Sequence, residues 1–245
     1  PGRFRRVSAA GALSALLAPA ALAGPDPRPP NIVLILADDL GYGHLGCYGQ
    51  TKIETPRIDR MASEGIRFRH FYSGSPVCAP SRAALMTGKH MGNSPLQSNR
   101  GGVSLPGEAA TLAELLRVAG YRTGCFGKWG LGVEDSPGRP TRQGFVEFFG
   151  YLHQVDAHFH YPAYLWHNDE KVELEGNSGR TRRHGSGEER WQYAPDIIHR
   201  KALQFIRESR HAPFFCFLPT TLPHLELLAP EESVTPYRLR FEEEA

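Results

Sequence analysis

Asn31 to Ala37 (NIVLILA) is an unbroken aliphatic run after a polar, proline-rich segment. Lacking the alternation of a half-exposed strand, it predicts a β-strand buried on both faces of a parallel sheet. Thr55-Pro56 then opens a helix, with Thr as N-cap, Pro in the first turn, Ile58, Met61 and Ala62 along one face, and Gly65 as the stop. Ile66, Phe68 and His70 alternate with Arg67, Arg69 and Phe71, which predicts a strand. A second helix is expected from near Ala79 to Gly88. Thr111 and Glu114 form a capping box for Leu112, Leu115, Leu116 and Ala119, closed by Gly120. Tyr121 to Gly127 reads as the next strand. Pro195 to Ser209 follows as a helix carrying Ile198, Ala202, Phe205 and Ile206 at helical spacing, and Phe214 to Leu218 as a strand. Strands alternating with helices predict an α/β fold, a mostly parallel (mixed) central sheet with helices on both faces. Two stretches break the rhythm. Leu131 to Gly144 is a Gly/Pro-rich loop, and Gly176 to Arg190 is polar, glycine-rich and basic. Arg180, Arg182, Arg183 and Arg190 there would attract an anionic polymer; a solvated surface loop is the simpler reading.

The 245 residues carry 28 Lys+Arg against 26 Asp+Glu, a formal charge of +2, with 40% hydrophobic and 22% charged residues. This composition excludes disorder, collagen and coiled coil, and gives no reason to expect nucleic acid as a partner. The chain is long enough to bury a large core, and four cysteines are too few for a disulfide scaffold. Arg3, Arg5 and Arg6 precede an apolar run, Val7 to Ala23, that closes on Ala21-Leu22-Ala23. A basic start, an Ala/Leu core and a small-x-small ending mark residues 1–23 as an export signal. The run is broken by Gly11 and Pro19 and falls short of the ~20 residues that span a bilayer, so no stable membrane anchor is expected. Its removal leaves 25 basic and 26 acidic residues, a mature charge of −1. Residues 24–30 form a stiff Pro-rich leader. The expected location is therefore exported: periplasmic, secreted or lysosome-like.

Asp38-Asp39 stands directly after the first strand, where open α/β sheets place their ligands. A turn through Gly41 and Gly43 would let both carboxylates converge on a cation, and oxygen ligands of this kind suit Ca²⁺ or Mg²⁺. An ordinary turn is the commoner explanation of an Asp pair in that position. The stronger signal is Ser75-Pro76-Val77-Cys78-Ala79-Pro80-Ser81-Arg82. Cys78 falls at a helix start, where free N–H groups and the dipole favour negative charge, and Arg82 lies one turn on with a guanidinium fork to offer an oxyanion. A buried structural cysteine does not account for Pro80, Ser81 and Arg82 at fixed offsets.

Cys78-Ala79-Pro80-Ser81-Arg82, followed by Ala83 to Gly88, resembles the signature of the sulfatases, members of the alkaline-phosphatase-like superfamily. Thr55-Pro56-Arg57-Ile58-Asp59, Gly120-Tyr121-Arg122-Thr123 and Gly127-Lys128-Trp129 support the resemblance, which is nearest to the arylsulfatase type and runs from about Asn31 onward. It implies an alkaline-phosphatase-like fold and a sulfuric ester hydrolase. Cys78 would be oxidised to formylglycine by a maturation enzyme that reads the pentad. One hydroxyl of the hydrated aldehyde would attack sulfur and expel the alcohol, and the other would release sulfate. Asp38, Asp39 and the modified Cys78 would be ligands of Ca²⁺, in preference to Mg²⁺. Arg82 would steady the formylglycine and the metal site. Lys128 matches a lysine that contacts sulfate and formylglycine, although a lysine after a strand is otherwise an ordinary solvated one. His224, after the strand Phe214 to Leu218, matches a histidine near the leaving oxygen that would protonate the departing alcohol. The substrate would be a sulfated sugar or an aryl sulfate.

The sequence departs from that pattern at Gly130, where many relatives carry His; His153, His158 and His160 are candidates for the vacated role. The family's further Asp and Asn or His metal ligands, and a second sulfate-binding lysine, do not occur before Ala245. Residues 31–245 are accordingly expected to be the N-terminal part of a catalytic domain whose C-terminal part is missing. Trp166, Tyr161, Tyr164 and Trp191 offer rings for sugars or aryl groups, or simply fill cores. Of the other cysteines, Cys125 and Cys216 are expected as buried thiols, and Cys47 is unassigned. Two rival readings remain: a formylglycine phosphodiesterase or phosphonate hydrolase, and a non-catalytic sulfated-glycan binding fragment. Because calcium affinity rises with ligand number and charge, purified residues 24–245 are expected not to hydrolyse nitrophenyl sulfate in the presence of Ca²⁺, and measurable turnover would refute this.

Overall fold

The computed structural model describes residues 28–100, 104–177 and 192–238. The expected export signal, most of the expected leader, the arginines at 180, 182, 183 and 190, Trp191 and the acidic end of the sequence lie outside the described residues. Among the described residues, six strands form one sheet. In chain order they are β1 (Ile32–Asp38), β2 (Arg122–Lys128), β3 (Glu147–Tyr151), β4 (Tyr164–His167), β5 (Glu170–Glu173) and β6 (Phe214–Pro223). Their spatial order is β1-β6-β2-β3-β4-β5. The first four in space run parallel, and β4 and β5 close the other edge antiparallel. The main helices are α1 (Pro56–Glu64), α2 (Cys78–Thr87), α3 (Leu112–Val118) and α4 (Ala194–Ser209). Among the described residues no helix is long and apolar enough to cross a membrane.

Helices cover both faces of the sheet, and the strand sequences show why. Along β6, Phe215 and Phe217 join the core shared with Ala79, Ala83 and Met86 of α2 and Ala113 of α3. Phe214 and Cys216, pointing the other way, join Ile198, Ala202 and Phe205 of α4. Phe148 and Phe149 of β3 divide in the same manner, as do Cys125 and Phe126 of β2. Successive side chains on a strand face opposite ways, so continuous apolar runs are the mark of a sheet covered twice. Each fully buried Phe contributes about 1.5–3 kcal/mol, and the sandwich of Phe145, Phe215 and Phe217, with Trp129 edge-on to Phe145 at 5.6 Å, concentrates that burial beneath α2 and α3.

The predicted helices form within one or two residues of expectation. Helix α2 starts at Cys78, with Val77 as N-cap, and ends at Gly88, whose φ of +65° is a left-handed cap. The capping box of α3 is present. The Thr111 hydroxyl accepts from Glu114 N at 3.2 Å, and the Glu114 carboxylate accepts from Thr111 N at 2.8 Å. The same hydroxyl donates to the Gln143 carbonyl at 2.8 Å, so the cap also anchors the loop before β3.

Three expectations are corrected. Strand β1 is not buried on both faces: it is the edge of the sheet, with Val33 and Ile35 at 49% and 59% exposure. The aliphatic run was a true strand signal, but it carries no information on whether a second layer covers it. Ile66 to Phe71 forms no strand, and Ile66, Phe68 and Phe71 are exposed. Alternation without a neighbouring strand to complete the hydrogen bonds does not make a sheet. Strands β3, β4 and β5 are not predicted by the pattern, because Glu147 and Gly150 interrupt the apolar run of β3 and β4–β5 is a hairpin of two four-residue strands. Leu131 to Gly144 lacks a strand, as expected, yet it packs inward, with Leu131 fully buried and Gly138 accepting from the Trp129 indole at 2.7 Å. Thr111→Ala, which removes both the helix cap and the tether to Gln143, is expected to lower stability by about 1–2 kcal/mol, read from the urea unfolding midpoint.

Candidate active site

Asp38 is the last residue of β1, Lys128 the last of β2, and His224 follows directly on β6. The carboxyl ends of three neighbouring parallel strands thus deliver three of the predicted side chains to one end of the sheet, as open α/β sheets do for their ligands. The β1–β6 register shifts between Ala37 and Asp38, a local irregularity of the kind found beside functional sites. The Asp38 carboxylate is buried and bound on both oxygens, by Lys128 Nζ at 2.6 Å and by Arg82 Nη2 at 3.2 Å. The Arg82 Nη1 donates to the Lys128 carbonyl, so the guanidinium spans the strand end as well as the acid. Lys128 has no exposed surface and Arg82 almost none, which excludes the reading of Lys128 as a solvated lysine. Burial by itself would raise the Asp38 pKa; the Arg82 and Lys128 charges outweigh it and hold the carboxyl below its usual range.

Asp39 leaves the strand in the left-handed region, φ +61°, and its exposed carboxylate lies 3.3 Å from His224 Nε2. The two aspartates line one cleft of about 200 Å³ together with Ser75, Val77, Cys78, Ser81 and Arg82, but their carboxylates take different partners. Cys78, half-buried at the head of α2, is a free thiol, as are Cys47, Cys125 and Cys216. Burial pushes the Cys216 thiol up to about 12 and the Cys125 thiol well above its ordinary value, which makes both inert, as expected of buried strand cysteines.

Asn99 was missed by sequence reasoning. Its Oδ1 accepts from Ala79 N at 3.0 Å, and its Nδ2 donates to Cys78 Sγ at 3.4 Å. It therefore caps α2 from a remote loop, where Val77 has no side chain able to do so. Gln154 holds that loop, donating from Nε2 to the Asn99 carbonyl at 3.3 Å. No periodicity or spacing rule connects these two polar residues to the pentad.

The Sulfatase family model matches residues 30–244. The chain belongs to the sulfatase family. It is 51% identical to human arylsulfatase A over 136 residues, covering 53% of this chain and 26% of that protein. It is 35% identical to human N-acetylgalactosamine-6-sulfatase over 234 residues, covering 83% of this chain and 41% of that one. Among solved structures, Ps i-CgsB in complex with k-i-k-neocarrahexaose superposes with a TM-score of 0.73 at 30% identity, covering 88% of this chain and 50% of that chain. A structure bound to its substrate D-glucosamine-2-N,6-O-disulfate superposes at 0.69 with 28% identity, over 86% and 38% of the two chains. The sulfatase chain thus spans half or less of the length of these relatives.

In this sulfatase, Gly130 stands at φ +74°, and a Cβ there would meet Gln154 Cβ at 3.4 Å and Arg82 Cδ at 3.6 Å. A histidine at position 130 would be strained in this backbone whatever room its ring found. Of the three alternative histidines, only His158 reaches the site, with its ring stacked on His224 at 4.3 Å. His153 accepts from Val155 N at 3.1 Å, and His160 is buried beside Thr221 Oγ1 at 3.4 Å. Trp166 lies under the Arg139 guanidinium at 4.8 Å and is almost wholly buried, so it fills the core and presents no face to a sugar. Tyr164 packs edge-on to Trp166, and Tyr161 packs against Tyr193 at 5.3 Å.

Burial first, then the charges of Lys128 and His224, pull the His158 pKa from 6.5 down to about 4, against the opposing pull of Asp38 and Asp39. The unfolded ring takes a proton near pH 6.5 and the folded ring refuses it until about 4, so stability falls as pH drops through that window. The Asp38 contribution has the opposite origin. Its lowered pKa keeps it present throughout this window, and it is lost only in stronger acid. His158→Gln is expected to flatten the decline between pH 6.5 and 4, read as the urea midpoint against pH.

Proposed function

We propose that the full-length protein is an exported sulfuric ester hydrolase acting on sulfated sugars or aryl sulfates, with Cys78 matured to formylglycine. The observation that carries this reading is the shared cleft. Cys78 heads a helix there, and Asp38, locked between two buried cations, stands across from it. The fit to formylglycine is chemical. Cys78 Sγ has Asn99 Nδ2 as its hydrogen-bond partner, and no histidine or carboxylate contact to Cys78 was found among the described residues that would make it a thiol nucleophile. When formed, the hydrated aldehyde supplies two hydroxyls, one a nucleophile and the other a route for releasing sulfate.

The chain's own residues then have separable tasks. Lys128, fully enclosed, acts through Asp38 and fixes that carboxylate in place and in its ionised form. Arg82 ties Asp38 to the end of β2 and keeps a positive field at the head of α2, which favours an anionic substrate. His224 is the proton donor to the leaving alcohol, with Asp39 beside its Nε2.

Ca²⁺, in preference to Mg²⁺, is the ion proposed for Asp38, Asp39 and residue 78 in the full-length protein. The described residues do not make a complete site: both Asp38 oxygens are engaged by cations, and no group of three His, Cys, Asp or Glu able to hold a metal occurs among them. The sugar ligands of the two solved relatives favour a sulfated sugar for this chain as well. The pentad would be read by a formylglycine-generating enzyme, and the signal at residues 1–23 would direct export.

The test is peptide mass spectrometry for an aldehyde at residue 78 of the full-length protein, together with turnover of nitrophenyl sulfate against a nitrophenyl phosphodiester. An aldehyde and faster sulfate turnover are expected; faster diester turnover would favour a phosphodiesterase. His224→Ala is expected to slow a sugar sulfate about 100-fold while leaving nitrophenyl sulfate within about threefold, because a good leaving group needs no proton.

A further inference from the structure

We propose that Asn99 is a positioning residue for the reactive group at residue 78, and that Gln154 holds Asn99 in place for that task. This rests on the sulfate-ester reading of residue 78. The inference comes from the way α2 begins. A helix leaves its first N–H groups without intrahelical partners, and a Ser, Thr, Asp or Asn one residue ahead normally supplies the acceptor. Val77 occupies that place and supplies none. The acceptor comes instead from Asn99, whose Oδ1 lies 3.0 Å from Ala79 N. A remote amide used only as a cap would need nothing more than that oxygen. Here the other end of the same amide is spent on the functional atom: Nδ2 lies 3.4 Å from Cys78 Sγ.

One planar group thereby fixes the helix end and the reactive side chain relative to each other. An oxygen in place of the sulfur would accept from the same N–H. The loop that carries Asn99 is exposed, so its position needs a separate constraint. Gln154, itself buried, provides it through the Nε2 bond to the Asn99 carbonyl at 3.3 Å. Gln154 lies beside Gly130, where a Cβ would stand in ordinary contact, 3.4 Å from that of Gln154. Gly130, Gln154, Asn99 and residue 78 thus form one line of contacts from the end of β2 to the head of α2.

Three variants of the full-length protein separate positioning from capping. Asn99→Asp keeps an acceptor for Ala79 N but donates nothing to residue 78. Asn99→Ala loses both bonds, and Gln154→Met keeps the packing over Gly130 but not the bond to Asn99. Three quantities are read: the aldehyde fraction at residue 78, kcat and KM for nitrophenyl sulfate per aldehyde-bearing molecule, and the thermal midpoint. Asn99→Ala is expected to lower kcat about tenfold with KM within about threefold, and Gln154→Met to do the same to a smaller extent. Asn99→Asp is expected to recover the midpoint without recovering kcat. If it recovers both, Asn99 is only a cap and the proposal is overturned, as it is if Asn99→Ala leaves kcat unchanged.

A fourth readout needs no activity: the rate at which iodoacetamide alkylates Cys78 in protein made without the maturation enzyme. An acidic group beside the sulfur disfavours the thiolate, so Asn99→Asp is expected to slow this reaction at least about threefold. An unchanged rate would show that Asn99 does not reach residue 78. If the wild type bears no aldehyde and turns over no sulfate ester, the enzymatic reading fails, and the alkylation rate still decides the contact.

Discussion

The structure turns on one buried carboxylate. Asp38 closes β1, Lys128 closes β2 and Arg82 lies in the second turn of α2, so the contact among them joins three elements distant in sequence. Taking such charges out of water costs several kcal/mol per ion, and only close geometry with both carboxylate oxygens engaged repays it. That condition is met at Asp38, with a cation on each oxygen and a spare guanidinium N–H carried on to the Lys128 carbonyl. A hydrophobic trio of the same volume would hold these elements together at least as well. The charges are therefore better explained by what they do to the cleft: they leave one ionised carboxylate in a fixed place between two cations.

The layers of the fold make this contact possible. Phenylalanines alternate between two cores along β6 and β3, so the parallel strands are clamped from both faces and their carboxyl ends are held level. Helix α2 is docked by Ala79, Ala83 and Met86 on one side of the sheet, which sets the head of the helix and Cys78 against the strand ends. Ala79, Ala83 and Met86 are buried in that core, and from the position beside Ala83 on α2 Arg82 reaches Asp38 and the Lys128 carbonyl. Exposed Val33 and Ile35 on β1 show that the edge nearest the site is less enclosed than its centre.

Around that frame, polar residues with no motif of their own complete the site. Asn99 and Gln154 come from loops; Asn99 bonds the head of α2 and replaces a cap that the local sequence lacks, and Gln154 holds Asn99. His158 reaches His224 through a short turn between β3 and β4, and the burial that sets its stacking also keeps its ring neutral to about pH 4. Two stacked imidazoles that were both charged would repel each other, and the neutral His158 ring avoids that repulsion.

The sequence by itself determined the α/β class, the positions of α1 to α4, the capping box of α3, and the candidates Asp38, Asp39, Cys78 and Arg82; Lys128 and His224 were candidates only through the resemblance to the sulfatases. These signals are local: caps, periodic apolar faces and a contiguous pentad are written in neighbouring residues, and the physics that reads them acts over a turn or two. Tertiary structure alone decided the rest. It placed β1 at an edge, denied a strand to Ile66–Phe71, buried Lys128 beneath Asp38, sent Asp39 to His224, and stacked His158 on His224. Strand exposure depends on which layers cover a sheet, and side-chain partners depend on how far apart in sequence the packed elements are. Asn99 meets Cys78 across 21 residues and Lys128 meets Asp38 across 90, distances over which no periodicity carries information.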